Sequence, residues 1–508
     1  MKKKINTTAY DGNQPVVRGE RVFSTSLTVT VIALILVLNV LFYILASVFG
    51  LYWSPSEADQ IVLTGSTDTL FERAIGKQHV NIYFCMDEDS LNNHDTGAFV
   101  HKTAQEYQKR YSNFISIEYI NLITKLNSKG ERVDMTKFVT DDMPILKSSV
   151  IFECPETGMH RVITDVYSSA GYADFYTLDA SGNAVSYDGE EFMAGMISWV
   201  LSAEHKKAYF TTTHSEQADS SFAKILTTAG YETGTVNLRQ QTVPEDCDLL
   251  IISNPRSDFE TSDEGTATTE LGRIEAYIKR GGSIYVSLDP YVKKLHSLEG
   301  LLAKYGIALS ETEIDGKVYR DIVRDTFNAI TTNGYTIVTD HADGELATAI
   351  AENMDKYSDN DVIIREAGAL SLSNGAQALL TSSSSAICEN GGVTTRSEGS
   401  FPVVAYNELT AEGGTAPARI FVASSIYLTV SDAVVTNGYS NKDFIYSVFD
   451  LLFEADRLPY GCHSVMYDNQ TLENLTMSTA NLYTALVIAV PVALAAVGAV
   501  VIIRRKNR

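Results

Sequence analysis

The residues best placed for chemistry lie at the end of the segment 206–216, "KKAYFTTTHSE", which contains a run of β-branched and aromatic side chains. His214, Ser215 and Glu216 end that run, and Asp289 ends a similar run, "SIYVSLDP". Ligands and catalytic groups in open α/β sheets lie at the carboxyl ends of the strands. In a hydrolase, His214 would act as the base, and Glu216 or Asp289 would orient its imidazole.

A structural interpretation of these residues is simpler. Ser215 or Asp219 would cap the helix that follows, and Glu216 would interact favourably with the dipole of that helix. Class I amidotransferases need a Cys at a glycine-flanked strand-to-helix elbow, and neither strand end supplies one. We therefore predict no catalytic residue, and we treat His214, Glu216 and Asp289 as candidate contacts for a ligand or a partner.

Other motifs for chemistry are missing from the sequence. It contains no Gly-x-x-x-x-Gly-Lys-Ser/Thr loop to hold a nucleotide phosphate, no Gly-x-Ser-x-Gly and no His-Glu-x-x-His. The acidic run 87–89, with Asp95, lacks the alternating oxygen ligands and the glycine of a calcium loop, which favours a solvated loop. We predict no cofactor and no metal site.

The five cysteines are scattered, and their odd number and the absence of a CxxC pair indicate neither a disulfide framework nor a zinc site. Cys85 and Cys247 lie within or beside apolar runs typical of strands. We expect them to be buried as small hydrophobic residues.

The clearest rhythm of secondary structure lies at 206–310. Strands "KAYFTT", "TGTVNL", "DLLIIS" and "SIYVSLDP" are interleaved with helices "SSFAKILTTAG", "ELGRIEAYIKRGG" and "LHSLEGLLAKYG". In the first helix, Phe222, Ile225, Leu226 and Ala229 share one face, and Gly230 would cap its C-terminus. Strands that alternate with helices of this length predict a parallel, flavodoxin-like or class I amidotransferase-like sheet.

Flanking α/β segments lie on both sides of this domain. The range 54–205 reads as strand, helix, strand and hairpin, an order compatible with a thioredoxin-like unit. Its hairpin should turn at 155–158. The range 311–457 is a less regular third α/β region that includes an exposed Ser/Gly-rich loop at 381–400. A polar tether at 458–481 would follow.

Two apolar segments predict membrane spans. Residues 27–51 and 482–503 contain no charged side chain, and each is long enough as a helix to cross about 30 Å of hydrocarbon. We place the first transmembrane helix at 27–53 and the second at 482–503. Basic residues in the tails 1–26 and 504–508 predict that both termini are cytoplasmic. The protein would then be a two-pass plasma-membrane protein whose α/β ectodomain lies outside the cytoplasm.

The charge of the predicted ectodomain excludes one class of partner. The whole chain carries a net charge of −23, and its two tails hold nine basic and two acidic residues. The residues between the membrane spans are therefore more acidic than the chain as a whole. Such a surface repels phosphate backbones, so we do not expect nucleic acid as a partner.

Several segments resemble a known family. "KKAYFTTTHSEQADSSFAKILTTAGYETGTVNL", "VPEDCDLLIISNPRSDF" and "IEAYIKRGGSIYVSLDP" are similar to the ectodomains of GldG-type, gliding-motility-associated auxiliary components of ABC transporters. Members of that family have a strand ending in Gly-His-Gly-Glu. Here Thr213 and Ser215 stand in place of the two glycines, while His214 and Glu216 match.

The resemblance implies a non-enzymatic accessory subunit of an ABC-2-type transport system. Its partners would be an ABC permease, a separate cytoplasmic ABC ATPase and a component of the cell envelope. Two alternatives stay open from the sequence. One is a membrane-tethered hydrolase that uses His214, and the other is an extracytoplasmic module that binds or senses a glycan or peptide.

Overall fold

The computed structural model describes residues 61–466, apart from 65–66, 95–96, 140–143, 165–174, 179–183, 218–219, 262–267, 358–360, 412–415, 431–432, 434–438 and 463. Within these residues, no helix combines the length and the apolar character needed to cross a membrane. The predicted spans at 27–53 and 482–503, and both basic tails, lie outside the described residues. They remain predictions.

A five-stranded sheet, in the order β3-β2-β1-β4-β5, opens the described part of the chain. Its strands are β1 (Val80–Phe84), β2 (Ile115–Asn121), β3 (Leu126–Asn127), β4 (Val150–Cys154) and β5 (Met159–Ile163). Strands β1 and β2 are parallel, whereas β4 and β5 are antiparallel to each other and β4 is antiparallel to β1. The hairpin predicted to turn at 155–158 is confirmed.

Helices pack against this sheet. In the described residues they are α1 (Thr67–Phe71), α2 (Glu88–Asn92), α3 (Gly97–Arg110) and α4 (Gly189–Val200). Val100, Ala104 and Tyr107 are buried on one face of α3, as their spacing of three to four residues predicts. Every residue of α4 is buried, which marks this helix as part of the core.

A second sheet contains nine strands among the described residues, in the order β17-β16-β19-β22-β23-β11-β10-β8-β9. They are β8 (Lys207–Thr211), β9 (Glu232–Val236), β10 (Leu249–Ser253), β11 (Ser283–Ser287), β16 (Thr336–His341), β17 (Val362–Arg365), β19 (Gln377–Thr381), β22 (Pro402–Leu409) and β23 (Ala418–Ala423). Strands β9, β8, β10, β11 and β23 run parallel, and the remaining neighbours are antiparallel. The protein is therefore a mixed α/β structure with a large parallel component.

The strand order also relates the ranges predicted at 206–310 and 311–457. Both contribute strands to the nine-stranded sheet, and β23 from the later range pairs directly with β11 from the earlier one. The sheet is thus continuous across residue 310.

Helices cover both faces of this sheet. They are α5 (Ser220–Thr228), α6 (Glu270–Lys279), α7 (His296–Lys304), α8 (Glu345–Met354) and α9 (Asn441–Leu451). Strand β10 shows why both faces need cover: Leu249 and Ile251 join the core under α5, α8 and α9, whereas Leu250 and Ile252 join the core under α6 and α7. A strand buried on both faces reads as a continuous apolar run.

The predicted elements of 206–310 are confirmed in type and order. The four apolar positions predicted for α5 are all buried in the core: Phe222, Ile225, Leu226 and Ala229. Gly230 follows the helix with a φ of 86°, a conformation that glycine adopts without steric cost and that often ends helices.

Smaller sheets lie beside the large one. They pair β12 (Ile307–Leu309) with β18 (Leu370–Leu372), β13 (Glu311–Ile314) with β14 (Lys317–Arg320), and β15 (Val323–Arg324) with β20 (Ile387–Asn390), which also pairs with β21 (Val393–Arg396).

The prediction of an exposed loop at 381–400 is wrong, because β20 and β21 lie in this range and Cys388 is fully buried. Ser383 and Ser385 are half-buried, and their hydroxyls donate hydrogen bonds to the buried carboxylate of Asp325.

The first residues of the range predicted as a tether are packed. Leu458, Tyr460 and Cys462 are buried. Strand β24 (Val465–Met466) pairs with β7 (Ala184–Tyr187), which pairs in turn with β6 (Tyr176–Leu178). The remainder of the range, 467–481, lies outside the described residues.

A buried polar network joins helices α4 and α9. Lys442 and Tyr446, one turn apart on α9, both donate hydrogen bonds to the carboxylate of Glu191 on α4. Beside them, Lys224 of α5 forms an ion pair with Asp188 at 2.7 Å. The carboxylates are almost completely buried, at 4% exposure for Glu191 and 3% for Asp188. Paired charges of opposite sign make this burial possible.

Candidate functional site

The predicted contact residues lie at the carboxyl ends of two strands. His214 and Glu216 follow β8, and Asp289 follows β11, with β10 between these strands in the sheet. The positions agree with the expectation that polar side chains gather at this edge. What they can do depends on their contacts.

His214 is completely buried, and both of its ring nitrogens are engaged. Nδ1 lies 3.3 Å from Glu216 Oε1, and Nε2 lies 3.1 Å from Glu270 Oε2. The ring also stacks on Phe259, with the ring centroids 3.8 Å apart and an interplanar angle of 17°. The imidazole is therefore held between two carboxylates and against an aromatic face.

Glu270 is shared among several donors. It is the first residue of α6, and its carboxylate accepts hydrogen bonds from Arg239 Nε at 3.1 Å and from the backbone N–H of Glu260 at 2.8 Å, in addition to the His214 ring. The side chain of Thr269 caps the same helix end. Glu270 is 1% exposed, and the N-terminus of a helix is a favourable place for a carboxylate.

The electrostatic environment favours a charged imidazole. Burial lowers the pKa of His214, but the hydrogen bond that its ring donates to Glu216 and the charge of Glu270 outweigh burial, so the pKa is raised above 6.5. Burial raises the pKa of Glu216, but its hydrogen bonds with His214 reverse that effect and lower the pKa below 4.5. The position between two carboxylates thus favours the imidazolium form of His214.

The backbone around His214 is fixed as well. Its N–H donates to Glu216 Oε2 at 2.7 Å, and its carbonyl accepts from the N–H groups of Arg256 and Ser257 at 2.8 and 3.2 Å. The flanking residues Thr213 and Ser215 have positive φ angles of 92° and 55°. These are the positions at which the resembled family has glycine, the residue for which such angles carry no penalty.

Asp289 has different partners. Its carboxylate forms an ion pair with Arg256 at 3.2 Å and accepts the N–H of Tyr291 at 2.8 Å. Because both nitrogens of the His214 ring are already engaged by glutamates, Asp289 does not orient that ring. The link between them passes through Arg256, whose backbone binds His214 and whose guanidinium binds Asp289.

The structure thus brings His214 and Glu216 together and gives Asp289 a separate role. Glu216 bonds His214 through both of its carboxylate oxygens, so its partner is not the dipole of α5 as the sequence suggested. Glu270 and Phe259 were missed by the sequence interpretation. The only local signal was the pair Thr269-Glu270 before an amphipathic helix, which indicates a helix start but not a contact with a residue 56 positions away.

The other sequence-derived candidates have structural contacts. Asp87 caps α2 through a hydrogen bond from the N–H of Ser90, and Asp95 lies outside the described residues. Cys85 and Cys247 are buried, as predicted. In the described part of the chain, no group of three His, Cys, Asp or Glu residues is placed to hold a metal ion.

Comparison with known proteins gives limited results. No family model and no curated protein matches the chain. Among solved structures, the chain is similar to the mmIFT52 N-terminal domain, at 17% identity over 48% of this chain and 96% of that one, with a TM-score of 0.35. It is also similar to a ThuA-like protein from Bacteroides uniformis, at 12% identity over 50% and 92% of the two chains, with a TM-score of 0.31.

A third similar structure is PurLQS from Thermotoga maritima, at 12% identity over 49% of this chain and all of that one (100%), with a TM-score of 0.27. TM-scores this low carry no argument about fold or function.

Proposed function

We propose that this chain is a non-enzymatic auxiliary subunit of an ABC-2-type transport system, anchored in the plasma membrane at 27–53 and 482–503. Its flavodoxin-like or class I amidotransferase-like ectodomain would contact an ABC permease, a cell-envelope component or the transported substrate. ATP hydrolysis would come from a separate ATPase chain. The support from sequence is the resemblance to GldG-type components and the two uncharged apolar segments.

The observation that carries the non-enzymatic part of the proposal is the environment of His214. A general base needs a free nitrogen within reach of the proton that it removes. The His214 ring has neither exposure to solvent nor a free nitrogen, because Glu216 and Glu270 engage both. The alternative of a hydrolase based on His214 is therefore disfavoured.

Co-purification tests the transport assignment. The full-length chain, carrying an affinity tag, would be isolated from native membranes in a mild detergent and its partners identified by mass spectrometry. We expect an ABC permease and an ABC ATPase to be enriched over a mock purification from untagged cells.

A tagged His214→Ala variant provides a second arm. If the folded fraction of this variant still co-purifies with these partners, His214 contributes to the stability of the protein and not directly to partner binding. Recovery of the tagged protein with neither a permease nor an ATPase would contradict the proposal.

A further inference from the structure

A groove lies next to the carboxyl edge of the parallel strands, and His214 is not among its lining residues. Its cavity volume is about 700 Å³, within the usual range for small-molecule sites. Three segments form it: the loop that follows β11, the hairpin of β13 and β14, and the turn between β20 and β21.

Two tight turns make the walls of this groove rigid. Asp315 and Gly316, which join β13 to β14, have φ angles of 51° and 76°, and Gly391 and Gly392, which join β20 to β21, have φ angles of 59° and 80°. Positive φ at both central residues is the signature of the tight hairpin turns that match strand twist.

A hydrogen bond connects the two hairpins to each other. The side-chain amide of Asn390 donates to the carbonyl of Arg320 at 3.0 Å. The guanidinium of Arg320 is itself anchored by two hydrogen bonds to Glu299, at 2.6 and 2.8 Å. A ligand would therefore meet a preorganised wall, which lowers the entropic cost of binding.

The groove is positively charged on an acidic protein. Its lining includes Lys293, Lys294, Lys317 and Arg320, whereas Glu311 is the one acidic residue among the described residues that line it. The chain as a whole carries a net charge of −23. A local field of the opposite sign to the rest of the surface concentrates anions at this place.

Two of these cations are not neutralised by the protein. Glu311 pairs with Lys294 at 2.6 Å and with Arg320 at 3.4 Å. In the part of the chain that the structure describes, Lys293 and Lys317 form no ion pair, and both side chains are exposed. They are available to a ligand.

Two tyrosines, Tyr291 and Tyr319, add aromatic surface to the groove. Tyr291, two residues from Lys293, is 55% exposed at the groove. The ammonium of Lys317 lies 4.5 Å from the ring centroid of Tyr319, an arrangement that holds the cation in place by attraction to the aromatic face. An exposed aromatic ring in the same groove as these cations suits an organic anion with both apolar and charged parts.

We propose that this groove binds a small organic polyanion, through its carboxylate or phosphate groups, with Lys293 and Lys317 as the principal charged contacts and Tyr291 as the apolar one. Long polyanions such as nucleic acid do not fit, because they would extend beyond the groove over a chain with a net charge of −23. The inference does not depend on the transport assignment, since it rests only on the groove and its charges.

Isothermal titration of the full-length protein tests the proposal. The probes are trigalacturonate, whose rings each carry a carboxylate, maltotriose, which has the same number of rings without charge, and inorganic pyrophosphate. We expect one or both anionic probes to bind, maltotriose to show no binding, and added salt to weaken the binding.

The double variant K293Q/K317Q should weaken anion binding by about tenfold or more. K77Q/K102Q removes the same charge from exposed lysines outside the groove and should leave binding unchanged. Binding of trigalacturonate alone would identify carboxylates as the recognised groups, and binding of pyrophosphate alone would identify phosphates.

Three results would overturn the proposal: no binding of either anion, equal binding of maltotriose, or equal losses in the two double variants. Thermal unfolding of each variant shows whether it is folded.

Discussion

The surroundings of His214 favour a positive charge in a position that solvent does not reach. Glu216 and Glu270 balance this charge, and Phe259 covers the face of the ring. A charge buried in this way is tolerated only while its partners are present. The main role of His214 is therefore to join three segments: the loop after β8, the segment around Phe259, and the start of α6.

His214→Ala should destabilise the protein by about 3–5 kcal/mol, because it leaves two buried carboxylates without their shared partner. Urea unfolding measures the change. His296→Ala is the matched control, since His296 is exposed and its loss should change the free energy of unfolding by less than about 0.5 kcal/mol. A His214→Ala protein as stable as wild type would show that the contacts of His214 with Glu216 and Glu270 have no structural role.

The pairing of His214 with Glu216 also predicts that the stability of the protein depends on pH. The pKa of His214 is raised above 6.5 in the folded state, so its contribution is complete below that value and is lost as pH rises through the folded-state pKa. The pKa of Glu216 is lowered below 4.5, so its contribution is present above that value and is lost as pH falls. The pair therefore contributes most between these two values.

The measurement is the difference in urea midpoint between wild type and His214→Gln, followed from about pH 6 to pH 9. We expect this difference to decrease as pH rises. A constant difference, or one that increases with pH, would contradict an imidazolium at this position.

At Thr213, in contrast to His214, we expect a substitution that increases the stability of the protein. Its φ of 92° is strained for a β-branched residue, at a cost of about 1–3 kcal/mol, and its side chain is exposed, so little packing is lost on its removal. Thr213→Gly should stabilise the protein by about 1 kcal/mol after allowing for the larger entropy of glycine in the unfolded chain.

The neighbouring substitution Thr212→Gly is the control. Thr212 is not among the described residues with positive φ, so glycine there relieves no strain and should destabilise the protein by about 0.5–1 kcal/mol. Equal effects of the two substitutions in thermal unfolding would show that the conformation at Thr213 is not strained.

At the scale of elements, α4 and α9 depend on the network around Glu191. Burial lowers the pKa of Lys442, but the charges of Glu191 and Asp188 outweigh it and raise the pKa above the ordinary value. Lys442 is therefore charged while packed inside the protein. Its ammonium connects two helices that are far apart in the chain.

Lys442→Met should cost about 3–5 kcal/mol, because the buried carboxylate of Glu191 loses its cationic partner. Tyr446→Phe removes one hydrogen bond to the same carboxylate and should cost about 1–3 kcal/mol. Lys77→Met, at an exposed position, is the control. Unfolding of the double variant completes the cycle, and strictly additive effects would argue against a shared network.

Local elements were more predictable than the contacts between them. Helix α5 could be predicted because Phe222, Ile225 and Leu226 recur at helical spacing and Gly230 ends the pattern. The contact of His214 with Glu270 could not, because no periodicity encodes a pairing across 56 positions. The buried part of 381–400 was missed for a related reason: its serines look solvated until Asp325 is brought beside them.

At the scale of the whole molecule, the cysteines report on the integrity of the core. All five are buried thiols, distributed over both large sheets and the segments beside them. Burial raises the pKa of Cys85 and Cys388 to about 12 and that of Cys247 to about 11. The raised pKa suppresses the thiolate that reacts with disulfide reagents, and burial keeps these reagents away from the sulfur.

The native protein should therefore release almost no chromophore from Ellman's reagent, and the protein unfolded in guanidinium should react at all five positions. The time course of the reaction at neutral pH measures this. Rapid reaction of any cysteine in the native protein would show that its surroundings open easily, and mass spectrometry of the labelled peptides would identify which cysteine it is.

The position of β23 in the nine-stranded sheet has a consequence during synthesis on the ribosome. Strand β11 pairs with β10 on one side and with β23 on the other, so the second edge stays open until residues 418–423 have been made. At about 5–20 residues per second, the interval between residues 287 and 418 lasts about 7–26 seconds. An unpaired strand edge is a template for pairing with other chains. A product truncated before residue 418 keeps this edge permanently, which makes shortened chains the species that chaperones and quality-control proteases must remove.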